Sequence, residues 1–141
     1  MNTSILTLLL SMSPLIIETG ETSNIFKYPL KISKSISYET VTLTTYSTTI
    51  GQTDSTPHIT ASGFKIDTIN PKKHRIIAVS RDLKKKWPFG TKVRIKKAGK
   101  YNGVYTVKDV MNKRYKNRID ILIGEDDKQT TMNNVKITKI N

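Results

Sequence analysis

Residues 103–124, GVYTVKDVMNKRYKNRIDILIG, decide how this chain is read. The stretch divides into two β-runs joined by a basic loop. Residues 104–109 alternate and are rich in β-branched and aromatic side chains, and residues 118–123 follow the same pattern. Ile119, Ile121 and Ile123 fall on one strand face, which leaves Asp120 on the other. A carboxylate inside a β-run is a poor strand former and costly to bury. Asp109 closes the first run and Asp120 interrupts the second. Lys113, Arg114, Lys116 and Arg118 lie in or beside the loop between them. Such a pair frames a candidate site, and it is equally the pattern of two surface aspartates pairing with neighbouring cations.

Working outward, residues 91–96 alternate as a strand, and Asn102-Gly103 is the strongest hairpin signal in the chain. Ser80 is a good N-cap with Asp82 in the first turn behind it, so a short helix is predicted there. Trp87-Pro88-Phe89-Gly90 ends it as a turn, with Trp87 and Phe89 as core anchors. Residues 75–79 read as a buried strand, and Asn70-Pro71-Lys72-Lys73 as a turn. Residues 59–65, ITASGFK, read as a short strand broken by Gly63, where a close approach of backbone or ligand is expected. Residues 41–46 alternate as a strand and run into a loop rich in Ser, Thr, Gly and Pro over 47–57. After Gly124, three consecutive acids load the first turn of an expected helix to about Met132, and residues 135–140 read as a closing strand. About seven short strands with two helical corners suit a small closed all-β barrel better than a sandwich.

The 141 residues and 36% hydrophobic content suit one barrel over residues 39–141, with a leader before it. Residues 1–20 hold a short apolar run interrupted by Ser and Pro, read as an export signal or an N-terminal arm. Residues 21–38 read as a linker. The absence of cysteine excludes disulfides, a thiolate nucleophile and cysteine metal sites; with only two histidines, no metal or cofactor is expected. The net charge is +13, and residues 65–118 hold 18 of the 24 Lys and Arg side chains against three acids. Such a field attracts polyanions: nucleic acid, acidic lipid or an anionic cell wall. Stacking aromatics are scarce and no recognised nucleic-acid motif is present, which disfavours nucleic acid.

Read together, IIAVSRDL (76–83), WPFGTKVRI (87–95) and YNGVYTVKDVMNKRYKNRIDILIG (101–124) resemble the 3D domain, named for three aspartates. That family is related to MltA-type lytic transglycosylases and to stationary-phase survival muralytic enzymes. Upstream, TTYS (44–47) and TASG (60–63) are similar to the motifs that open the family's domain. The resemblance covers residues 41–140. It implies a six- to seven-stranded double-psi β-barrel with short helices and a saccharide groove. The second and third signature aspartates match Asp109 and Asp120, whereas Ser80 stands where the first is found and Asp82 follows two residues late. The loop after Asp109 is also more basic and poorer in glycine than the family's.

The activity the resemblance implies is cleavage of peptidoglycan glycan strands with formation of 1,6-anhydromuramyl ends. Such a lyase needs one acid that protonates the glycosidic oxygen and then accepts the proton of the muramyl 6-hydroxyl. Asp120, between two isoleucines, is the expected acid and Asp109 its partner. Thr45, Tyr46, Thr60, Ser62, Gly63 and Ser80 are the expected substrate contacts. The expected partners are glycan strands and anionic wall polymers. The expected state is a monomer, acting outside the cytoplasm at a cell wall or from a phage particle. A glycan-binding barrel without catalysis is the alternative.

Overall fold

The computed structural model describes residues 35–49 and 56–140. The expected leader and most of the expected linker lie outside the described residues. Six strands form among those described: β1 (Glu39–Tyr46), β2 (Ile76–Val79), β3 (Lys92–Lys96), β4 (Gly103–Val110), β5 (Arg118–Leu122) and β6 (Thr131–Lys139). One short helix, α1 (Arg81–Lys84), and two 3-10 turns at Pro71–His74 and Gly99–Tyr101 fill the corners.

The strands close in the order β1-β5-β2-β4-β3-β6, with β6 returning to β1. The pairs β1/β5 and β2/β4 are parallel and the other four antiparallel. β5 therefore sits between β1 and β2, and β4 sits between β2 and β3. In each case a later strand is inserted between two antiparallel strands that follow one another in the chain. That is the ψ arrangement made twice, so the barrel is of the double-psi kind. Closure also removes every free strand edge.

Alternation sends Val41, Leu43, Ile77, Val79, Val93, Ile95, Val107, Ile119, Ile121, Val135 and Ile137 into the barrel, with Trp87 closing one part of it. Burying each Val, Leu or Ile side chain contributes roughly 1.5–3 kcal/mol. A smaller cluster forms outside the barrel wall. There Ile66 and Phe64 of the 58–66 loop cover Tyr46, Ile76, Ala78, Met111 and Leu122. The barrel thus has an inner core and one greasy outer patch, and the patch carries the two aspartates.

Four local expectations are corrected. Residues 59–65 do not extend as a strand; Ile59 and Lys65 make one isolated bridge around a tight turn. Gly63 is needed there for its φ of +77°, because a side chain at that position would meet nothing within 4 Å. The β3–β4 connection is not a two-residue Asn-Gly turn. It runs through a 3-10 turn, and Asn102 Oδ1 accepts the Ala98 N–H at 2.8 Å. No helix follows Gly124. Instead Asp127 Oδ2 accepts the Gly124 N–H at 2.9 Å and pairs with Lys72 at 2.9 Å, and the chain passes directly into β6. The strand count is accordingly six.

Candidate active site

The site is a row of residues across the outer face of five adjacent strands. Ala78 on β2 is in register with Asp109 on β4 and, on its other side, with Asp120 on β5. Asp120 is in turn in register with Thr44 on β1, and Thr44 with Thr131 on β6. Neighbours in register share a face. The carboxylates therefore stand one strand either side of Ala78, with their Cα atoms roughly 9–10 Å apart. The small Ala78 side chain, itself buried, leaves room between them for the Tyr46 side chain that reaches Asp109.

Strict alternation would have sent Asp109 inward, because Tyr105 and Val107 before it are core residues. A bulge prevents this. Ile77 pairs with Val107, but Ala78 pairs with Asp109, so Lys108 is an extra residue in β4. One inserted residue reverses the phase of everything after it. The 58–66 loop docks on the bulge: Ser62 N–H donates to the Lys108 carbonyl at 3.2 Å, and Ala61 N–H donates to Asp109 Oδ1 at 2.9 Å. Asp109 Oδ1 also accepts the Val110 N–H at 2.8 Å, and Oδ2 accepts the Tyr46 hydroxyl at 3.4 Å. Tyr46 starts on β1, so its ring reaches over β5 and β2 to meet β4. Burial first, then the charges of Asp109 and Asp120, push its phenol well above the usual range. It therefore stays neutral and acts as a donor.

Asp120 is treated differently. Its Oδ1 is buried without a hydrogen-bond partner. Burial pushes the carboxyl up from 3.8 to about 6. The Thr44 hydroxyl and the Arg118 guanidinium pull it down, and Asp109 adds to the rise. An acid in that range gives up and recovers a proton close to neutrality.

Two open grooves meet at Asp120. The first, about 650 Å³, runs past Asp109, Ala78, Ala61, Arg81 and Asn112. The second, about 410 Å³, runs past Thr44, Arg118, Gln129, Thr130 and Thr131. Tyr46, Met111, Arg114, Tyr115 and Asp120 line both.

Of the residues singled out from the sequence, Asp109, Asp120 and Tyr46 come together in the first groove. Thr45 lines the second, but it is buried and its hydroxyl accepts the Thr130 N–H at 2.9 Å. Thr60 is buried; its hydroxyl accepts the Phe64 N–H at 3.1 Å and pairs with Ser62 Oγ at 3.0 Å. Thr60, Ser62 and Gly63 therefore shape the loop that presents Ala61, and they do not line either groove. Ser80 is fully buried and accepts the Arg118 N–H at 3.1 Å, which fixes the start of β5 from beneath.

Sequence reading did not single out Thr44, Ala78, Arg81 or Tyr115 as site residues. Ala78 had a visible signal, as the one small side chain in the apolar run of β2. Among the described residues no three His, Asp or Glu side chains gather as metal ligands. No protein-family model matches this chain, and no curated protein matches it at a significant level.

Proposed function

We propose that the barrel is a lytic transglycosylase-like enzyme of the three-aspartate kind, cleaving peptidoglycan strands with Asp120 as its acid and base. One observation carries this reading: a largely buried carboxyl of raised proton affinity, one oxygen of which has no hydrogen-bond partner, lies where two open grooves join. Protonated Asp120 gives its proton to the glycosidic oxygen as the bond to the anomeric carbon breaks. The muramyl 6-hydroxyl closes onto that carbon, and its proton returns to Asp120. The cycle consumes no water and ends with the acid restored, so one carboxyl suffices. With a value of about 6, roughly a tenth of the protein carries the proton at pH 7, and the fraction grows as the pH falls. Asp109, held by backbone donors and Tyr46, orients the substrate and raises the proton affinity of Asp120.

The net charge of +13 supports attachment to anionic wall polymers, outside the cytoplasm or from a phage particle, by a monomer. Among the described residues no helix is long and apolar enough to cross a membrane. A second reading, a glycan-binding barrel without catalysis, is favoured by Ser80. The serine replaces the first signature aspartate and is committed to holding Arg118 in place.

Mass spectrometry of purified sacculi after incubation separates the two. The enzyme releases 1,6-anhydromuramyl products and its Asp120→Asn variant does not. Sedimentation with sacculi but no anhydro product, under conditions where an established transglycosylase is active, leaves the binding reading alone.

A further inference from the structure

The loop between β4 and β5 and the first residue of β5 hold a group that neither gives nor takes the proton at Asp120. Tyr115 lies against two guanidinium groups, with Arg114 at 4.8 Å and Arg118 at 4.9 Å from the ring centre. Arg114 Nη2 donates to the Tyr115 hydroxyl at 2.8 Å, which ties the trio together. All three side chains line the second groove, and Arg114 and Tyr115 line the first as well. Among the described residues, ion pairs join Lys72 to Asp127, Lys73 to Asp67 and Lys86 to Glu39, and none involves either arginine. Arg118 Nε is moreover buried without a hydrogen-bond partner. A buried donor without an acceptor is costly unless an acceptor arrives from elsewhere.

A planar guanidinium matches a carboxylate through two parallel hydrogen bonds, and a sugar hydroxyl makes no such demand. The Tyr115 ring, already stacked on two cations, serves as the spacer that fixes their separation. On the glycan reading above, carboxylates arrive on every muramyl residue, either as the free lactyl acid or within an attached stem peptide. We propose that Arg114, Tyr115 and Arg118 form a carboxylate-recognition subsite, which selects anionic muramyl-containing strands over neutral aminosugar strands. This inference rests on the groove binding glycan and is independent of catalysis.

The test uses the full chain carrying Asp120→Asn, so that the probes are not consumed, and titration calorimetry at 0.15 M salt. The probes are hexasaccharides of alternating N-acetylglucosamine and N-acetylmuramic acid. One carries free lactyl acids, one has them converted to primary amides, and one carries tripeptide stems. The free-acid probe is expected to bind about tenfold or more tightly than the amide. Adding Arg118→Gln should abolish that preference while leaving the amide affinity within about twofold; Arg118→Lys, which keeps the charge and loses the fork, should restore it only in part. A tripeptide probe that binds like the free acid assigns recognition to stem carboxylates as well; one that binds like the amide assigns it to the lactyl acid. Equal binding of acid and amide overturns the subsite, as does an Arg118→Gln variant that weakens every probe alike. Anhydro product from wild type with no such preference overturns the subsite alone. A preference without product removes the enzyme reading and leaves the subsite standing, and failure of all probes to bind removes both.

Discussion

The end of β4 and the middle of β5 present the same side chain to the same groove in opposite ways. At the end of β4, Asp109 accepts two backbone N–H groups and a tyrosine hydroxyl. In the middle of β5, Asp120 keeps a buried oxygen without a partner. The first carboxylate belongs to the scaffold, because it fastens the 58–66 loop to the bulge. The second is carried at the scaffold's expense. A group that holds structure together and a group left ready for chemistry are told apart by what surrounds them, since residue type and groove are the same.

The sharpest way to break this comparison is Asp120→Asn, which should lower anhydro product by on the order of 10²–10⁴. The same change should stabilise the fold at pH 7. The folded state holds the Asp120 proton more tightly than the unfolded chain does, about 6 against 3.8. Wild-type stability therefore falls as the pH rises through that window and stays lower above it. Asparagine has no such penalty. The variant should gain about 2–3 kcal/mol at pH 7 and almost nothing below pH 4, measured by denaturant unfolding at both pH values.

Asp109→Ala should act in the opposite sense. It strips the acceptor from the Ala61 and Val110 N–H groups and should cost about 2–3 kcal/mol. Asp109→Asn keeps a carbonyl oxygen for those donors, so it should cost less than about 1 kcal/mol while still slowing turnover. If Asp109→Ala were as stable as wild type, the division between scaffold and chemistry would fail.

A finer probe is Thr44→Val. The Thr44 hydroxyl opposes the effect of burial on Asp120, so its loss should move the limb on which activity falls with rising pH upward from about 6. An unmoved limb would show that burial alone sets the acid. The smallest effect is expected at Asp82→Asn. Asp82 lies in the first turn of α1, and its carboxylate accepts the Asn117 N–H at 2.9 Å just before β5 begins. Losing that exposed bond should cost under about 1 kcal/mol, seen as a small drop in Tm with little change in activity.

Much of the barrel was legible because its strands obey a period of two. Ile119, Ile121 and Ile123 announced an inner face, and all three are core residues. The closed all-β architecture followed from short alternating runs separated by turn residues. What failed was set by partners distant in sequence. Glu125-Asp126-Asp127 carries a good local signal for the first turn of a helix. Lys72 nevertheless takes up Asp127, and Thr45 takes up the Thr130 N–H, which draws the chain into β6. Asn102-Gly103 reads as a hairpin turn, yet the Asn102 side chain is spent on closing the 3-10 turn before it.

The site was legible as a pair of aspartates and no further. Asp120 could be assigned to the outer face by alternation, whereas Asp109 reaches that face only because of a bulge that leaves no mark on the pattern of residues 104–109. Thr60 and Ser80 looked like groups that bind sugar because they are polar residues in expected motifs. Burial and local hydrogen bonds turn both into framework.

That bulge makes the distance between Val107 and Asp109 a matter of counting. Lys108 contributes its backbone carbonyl to Ser62 and its length to the chain. Its ammonium lies 5.5 Å from the Phe64 ring centre, a partly exposed contact worth about 0.5–1 kcal/mol, so substitution should cost little, but its deletion would not be tolerated. With one residue fewer, β4 would pair without interruption, and the Asp109 carboxylate would turn into the barrel beside Ile77 and Val79. A substitution scan of this strand should therefore find position 108 permissive, and a deletion scan should find it forbidden. Natural variation here is free to change the letter while being held to the number.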